Sequence, residues 1–94
     1  MIAKPTVSNL TLTDADTEYS FPIPAGTRRL RVRNRELNNP IRISFTEGET
    51  ADGQEYFTLQ YGEIIEVNAK MGGSKIYLAS KSQAGEVIEI ETWQ

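Results

Sequence analysis

Two residue types are missing altogether: the 94-residue chain has no cysteine and no histidine. Without cysteine, neither a disulfide nor a thiolate metal site can staple the fold. Without histidine, the usual general base near neutral pH and the commonest metal ligand are absent. Cys–His and Ser–His–Asp catalysis and ordinary zinc sites are therefore excluded. No apolar run approaches the roughly 20 residues that a bilayer-spanning helix needs. Nothing sustains a 3.6-residue apolar period, so no helix of useful length is predicted. The N-terminal Met-Ile-Ala-Lys-Pro has no apolar signal core, which leads to the expectation of a cytoplasmic origin.

Ten basic residues face thirteen acidic ones, for a net charge of −3. That balance speaks against a general nucleic-acid binder. The distribution is uneven. Arg28, Arg29, Arg31, Arg33 and Arg35 hold half of the basic residues within a single stretch, Arg-Arg-Leu-Arg-Val-Arg-Asn-Arg, whereas residues 86–91 carry Glu86, Glu89 and Glu91 and no base. In an extended strand Leu30, Val32 and Asn34 fall on one side and Arg29, Arg31, Arg33 and Arg35 on the other.

Short alternating runs fill the rest of the chain. Thr6 to Leu12 reads as a strand with Val7 on one face and Leu10 and Leu12 on the other. Glu18 to Ile23 follows a turn at Asp14-Ala-Asp16, and its Pro22 and Pro24 mark it as an edge strand or the end of one. Leu37-Asn38-Asn39-Pro40 is predicted to link the arginine strand as an antiparallel hairpin to a strand with Ile41, Ile43 and Phe45 inside and Arg42 and Ser44 outside. Thr46 to Gln54 is predicted as an exposed loop. Strands follow over Glu55 to Leu59, Ile64 to Val67 (after a turn at Gln60–Glu63), Lys75 to Ala79 and Glu86 to Trp93, with loops over Asn68 to Ser74 and Ser80 to Gly85. About eight short strands at spacings of roughly 8–12 residues predict one all-β domain over residues 1–94, a single antiparallel β-sandwich of jelly-roll type.

Arginines lined up along a strand repel unless acids lie beside them. Glu89 and Glu91 on the last strand, and Glu66, lie in the outward phase. The 28–35 and 86–93 strands are therefore expected to share a sheet, with arginines and glutamates on its outer face. The same row suits a protein–protein contact, where Arg is enriched at the energetically important positions. Single-stranded nucleic acid is the weaker reading, since no aromatic residue lies between Arg28 and Arg42 for bases to stack on. Tyr56, Tyr61, Tyr77 and Trp93 are candidates for a subunit interface, for plain packing, or for a sugar-stacking platform. Asp14, Asp16 and Glu18 alternate loosely like calcium ligands but lack the glycine and distal glutamate of such a loop, so a turn capped by Asp side chains explains them more simply. The acidic loop residues Glu47, Glu49 and Asp52 receive the same discount. No catalytic residue, cofactor or metal is predicted, and a chain this short leaves little room for a carboxylate-lined cleft.

Two segments carry a resemblance. Thr11-Leu12-Thr13-Asp14-Ala15-Asp16-Thr17-Glu18-Tyr19-Ser20 with Ile23-Pro24-Ala25-Gly26-Thr27-Arg28-Arg29, and Ile76-Tyr77-Leu78-Ala79-Ser80 with Ala84-Gly85-Glu86-Val87-Ile88-Glu89-Ile90-Glu91-Thr92-Trp93, resemble the opening and close of small all-β virion structural proteins of tailed bacteriophages. The middle, Asn38 to Ser74, matches only in strand rhythm. The resemblance implies a capsid decoration (cement) or head–tail accessory role in the virion, after synthesis in the host cytoplasm. It implies capsid or other virion proteins as partners and transfers no functional residue by identity. A homo-oligomer would supply burial that a short chain lacks. The alternative is a carbohydrate-binding module for host adhesion, which requires Trp93 and at least two tyrosines on one planar surface.

Overall fold

In the computed structural model, residues 4–35, 40–60 and 62–94 are described. Eight strands form in chain order: β1 Thr6–Leu12, β2 Tyr19–Pro22, β3 Arg29–Asn34, β4 Ile41–Ser44, β5 Phe57–Leu59, β6 Ile65–Asn68, β7 Lys75–Ser80 and β8 Glu86–Trp93. Sheet A has the order β1-β8-β3-β6 and sheet B the order β2-β7-β4-β5, with every pairing antiparallel. This is an all-β sandwich with jelly-roll topology.

The period-2 alternation seen in the sequence decides which side chains meet between the sheets. Sheet A contributes Leu12, Leu30, Val32, Ile88 and Ile90, and sheet B contributes Ile41, Ile43, Leu59, Ile76 and Leu78, all buried. Each such side chain contributes roughly 1.5–3 kcal/mol on leaving water. The core is aliphatic. Tyr19 and Phe21 pack only at its margin, and the remaining described rings lie outside it.

β2 is an edge strand, as its proline requires, with Pro22 opposite Lys75 at the strand's end. The 69–74 segment folds back on the Pro24–Arg28 turn. Met71 N donates to Thr27 O at 3.1 Å, Ala69 N to Arg28 O at 3.1 Å, and Ile23 and residues 73–74 exchange two further backbone bonds. Gly72 sits where this approach is closest, with the backbone of residues 24–26 occupying the space a side chain would need. Among the described residues, no helix is long and apolar enough to cross a membrane.

Four expectations need correction. β3 and β4 do not form a hairpin, because β3 lies between β8 and β6 in sheet A while β4 pairs with β5 and β7 in sheet B. Leu30 and Ile41 face each other's sheets across the core, which a hairpin in one sheet would not allow. Residues 36–39 of the connection lie outside the described residues. Phe45 is 38% exposed rather than inward, since β4 ends at Ser44, and Ser44 is itself buried, its hydroxyl accepting from Thr46 N at 3.1 Å. The regular strand β5 begins only at Phe57, and β6 begins at Ile65 and includes Asn68. Finally, the 46–54 loop is not wholly exposed, because Thr50 is buried.

Candidate protein-contact face

The outer face of sheet A carries the arginine row, and the strand register supplies its acids. Arg33 lies opposite Glu89, and Arg31 lies between Glu91 on β8 and Glu66 on β6. Arg33 Nε donates to Glu89 Oε1 at 2.7 Å. Arg35 lies just past β3, yet its backbone N donates to Val87 O at 2.9 Å, which keeps it beside β8 and brings its Nε within 3.1 Å of Glu89 Oε2. Glu89 thus bridges two arginines. Glu66 bridges two more, accepting from Arg29 Nη2 at 3.0 Å and lying 3.5 Å from Arg31 Nε, while Glu91 approaches Arg31 at 3.9 Å.

These carboxyls respond as their surroundings dictate. The hydrogen bonds from Arg33 and then Arg35 hold Glu89 below its ordinary range. Glu66 is held low by the Asn68 amide first and Arg29 second. The arginine side chains remain 31–55% exposed, so water screens the pairs and their net contribution to stability is small. The ladder sets long cationic side chains side by side on one sheet face, each with a carboxylate beside it. At one end, the Arg29 guanidinium lies 4.5 Å from the centre of the Trp93 ring, directly across the register. A cation above an aromatic face is attracted by the ring quadrupole, which orders both groups. The expected sharing of a sheet by the arginine and glutamate strands is therefore observed, with both charges outward.

The aromatic candidates do not gather. Trp93 is on the outer face of sheet A, whereas Tyr77 points outward from sheet B between Ser20 and Ser44. Tyr56 precedes β5 and lies beneath Arg42, with the guanidinium 4.6 Å from its ring centre. Tyr61 lies outside the described residues. Trp93 and Tyr77 occupy opposite faces of the sandwich, so the planar platform required by the carbohydrate reading is not formed by them.

The acidic candidates serve the loops. Asp14 accepts from the Tyr19 hydroxyl at 3.4 Å, Asp16 (φ +52°) accepts from Lys81 Nζ at 3.4 Å, and Glu18 turns away to the 46–54 loop. There it accepts from Thr50 Oγ1 at 2.6 Å, Gly48 N at 2.9 Å and Thr50 N at 3.3 Å. Partial burial works against the Glu18 charge, but the Thr50 hydroxyl and the two amides together outweigh it and leave the carboxyl below its ordinary range. Asp52 pairs with Arg42 Nη2 at 2.7 Å and Lys81 Nζ at 2.6 Å. Hydrogen bonding by Lys81, then Arg42, holds its carboxyl low, and Asp52 in turn raises Lys81. Glu49 accepts from Glu55 N at 2.9 Å. Among the described residues no three acidic side chains converge as a metal site. The loop is thereby clasped onto the outer face of sheet B, and Ala79 is buried beneath it. The open depression beside it, about 440 Å³, is lined by Asp16, Glu18 and Asp52, all already engaged. This clasp was not anticipated; the isolated outward Arg42 and the acid-rich loop opposite it were its only signal.

No protein-family model and no curated protein matches the chain. Among solved structures it is similar to a de novo designed double-stranded β-helix determined by solution NMR, with a TM-score of 0.56 and 17% sequence identity, covering 95% of this chain and 97% of the design. That likeness is one of fold.

Proposed function

We propose that the chain is a non-enzymatic structural subunit of a bacteriophage particle, a capsid decoration or head–tail accessory protein that works by binding other protein subunits. The observation that carries the binding role is the outer face of sheet A. Four arginines stand in a row on the outer face of one sheet, flanked by Glu66, Glu89 and Glu91, with Trp93 under Arg29. Arginine and tryptophan are the residues that most often dominate protein contacts, and holding them on strands lowers the ordering cost of binding. The assignment to a phage particle rests on the resemblance of the two chain ends to virion structural proteins.

Co-sedimentation with purified capsids of the phage whose genome encodes the chain tests both parts. Saturable binding at a stoichiometry fixed by capsid symmetry is expected. Arg31→Ala and Arg33→Ala should each weaken it roughly tenfold while the circular-dichroism spectrum stays unchanged. Failure of the wild-type chain to sediment with capsids refutes the virion role. Binding that ignores both substitutions refutes the face.

A further inference from the structure

We infer that β1 is a self-association edge, through which two copies of this chain pair strand to strand and extend sheet A across a two-fold axis. The inference is independent of what meets the arginine face. β1 ends sheet A, and among the described residues no strand pairs with its outer edge. Exposed edges are normally guarded by prolines, charges or shortness. The other three edge strands are guarded in this way: β2 carries Pro22, β5 has three residues, and β6 has four with Glu66 among them. β1 has seven residues, Thr-Val-Ser-Asn-Leu-Thr-Leu, with no charge, proline or glycine, and its Val7 is 63% exposed.

The sequence of β1 also says which partner fits. A two-fold contact must be self-complementary, and an antiparallel pairing in one continuous sheet must keep inward residues opposite inward ones. Ser8, Leu10 and Leu12 share the inward phase and Val7, Asn9 and Thr11 the outward one. Placing the axis at Asn9 pairs all seven residues: Thr6 with Leu12 of the second copy, Val7 with Thr11, Ser8 with Leu10, and Asn9 with its own counterpart. Val7 and Leu12 each meet a β-branched threonine, and no pair sets like charges opposite one another. Lys4 lies just before the strand and Asp14 in the bend just after it, so the two-fold brings the Lys4 end of one copy to the Asp14 end of the other, twice by symmetry. Within one copy neither has an ion-pair partner among the described residues; Asp14 N donates to the Tyr19 hydroxyl at 2.9 Å, and that hydroxyl donates to Asp14 Oδ2 at 3.4 Å. A second copy therefore supplies backbone partners for the edge, cover for Val7, and opposite charge at both ends. The axis is perpendicular to the sheet, so the two arginine faces would lie side by side on one surface.

Sedimentation equilibrium of the full chain from about 1 μM to about 1 mM tests this, together with amide hydrogen exchange over residues 6–12. The wild type should pass from monomer to dimer, with exchange in β1 slowing as the dimer fills. The double substitution V7K/T11K places like charges opposite one another at both symmetric pairs and should weaken the dimer about tenfold. V7K/T11E places opposite charges there and should restore it. Both pairs of sites are exposed in the monomer, and thermal melting verifies that the variants fold. A chain that stays monomeric to 1 mM overturns the inference, as does a trimer or a dimer indifferent to V7K/T11K. Unchanged exchange over 6–12 on dimerisation overturns it without recourse to any variant.

Discussion

Removing the Glu18 carboxylate should release the 46–54 loop from sheet B while leaving the sandwich core intact. Glu18 receives three hydrogen bonds from two loop residues thirty and more positions away, the shortest being 2.6 Å from Thr50 Oγ1. A hydrogen bond to a charged acceptor contributes about 1.5–3 kcal/mol, and solvent at this half-buried site argues for the lower part of that range. Glu18→Gln keeps one acceptor for Thr50 but turns an NH2 group toward the Gly48 amide, so a loss of about 1–2 kcal/mol is expected. Glu18→Ala leaves the buried Thr50 hydroxyl without its acceptor as well and should cost roughly 2–3 kcal/mol. Urea denaturation at neutral pH measures these losses, and amide exchange at residues 48–50 should accelerate far more than exchange in β8. The pH dependence has a definite sign. The folded-state pKa of Glu18 is depressed from its ordinary 4.5, so this contribution is full above that value and is lost as pH falls through the folded-state pKa. The wild-type and Glu18→Ala curves should therefore converge in acid. A variant with the wild-type urea midpoint and a still-protected loop would refute the reasoning.

Glu89→Gln should leave Arg33 and Arg35 without their shared charge, with little change in stability but greater mobility of both side chains, seen as averaged guanidinium Nε–H signals by NMR. Because Glu89 is held low by those arginines, the wild-type signals should show the same averaging only as pH drops below the ordinary carboxylate range. Gly72→Ala should be destabilising by about 1–3 kcal/mol. Its Cβ would meet the Gly26 amide nitrogen and the Pro24 carbonyl oxygen, backbone atoms that cannot swing aside, and thermal melting would register a fall of about 4–8 °C for each kcal/mol in a domain of this size. A wild-type melting temperature for that variant would mean that the 69–74 segment does not lie against the Pro24–Thr27 turn.

The strands were legible because alternation is a local signal: Leu30 and Val32, or Ile88 and Ile90, declare an inward face without reference to the rest of the chain. Charge complementarity carried the reading one step further. Four outward arginines needed acids, and only the outward glutamates of the last strand offered them in a matching row. Connectivity was not legible in the same way. A short link suggested a hairpin between β3 and β4, but each strand finds its neighbours elsewhere in the chain, and such long-range choices leave no mark on the connecting residues. The clasp was hidden for a related reason. Glu18, Thr50, Arg42, Asp52 and Lys81 are spread over more of the sequence than any local pattern spans, from position 18 to position 81, and each alone looks like a solvated polar residue.

The charge of the arginine face bears on the kind of partner proposed for it. Four arginines against Glu66, Glu89 and Glu91 leave this face with one net positive charge on a chain whose total is −3, so the rest of the chain carries −4. Within the proposed binding role, that asymmetry would steer an acidic protein surface toward sheet A rather than toward the rest of the chain. Phosphate would have to compete with carboxylates that already hold Arg29, Arg33 and Arg35 at 2.7–3.1 Å, whereas a protein surface could join the ladder at its exposed edges by extending the alternation of charge. Such a surface can also cover the Trp93 ring, which a phosphate cannot. The same bracing that weakens the nucleic-acid reading thus makes an acidic protein surface the better fit for the partner proposed above.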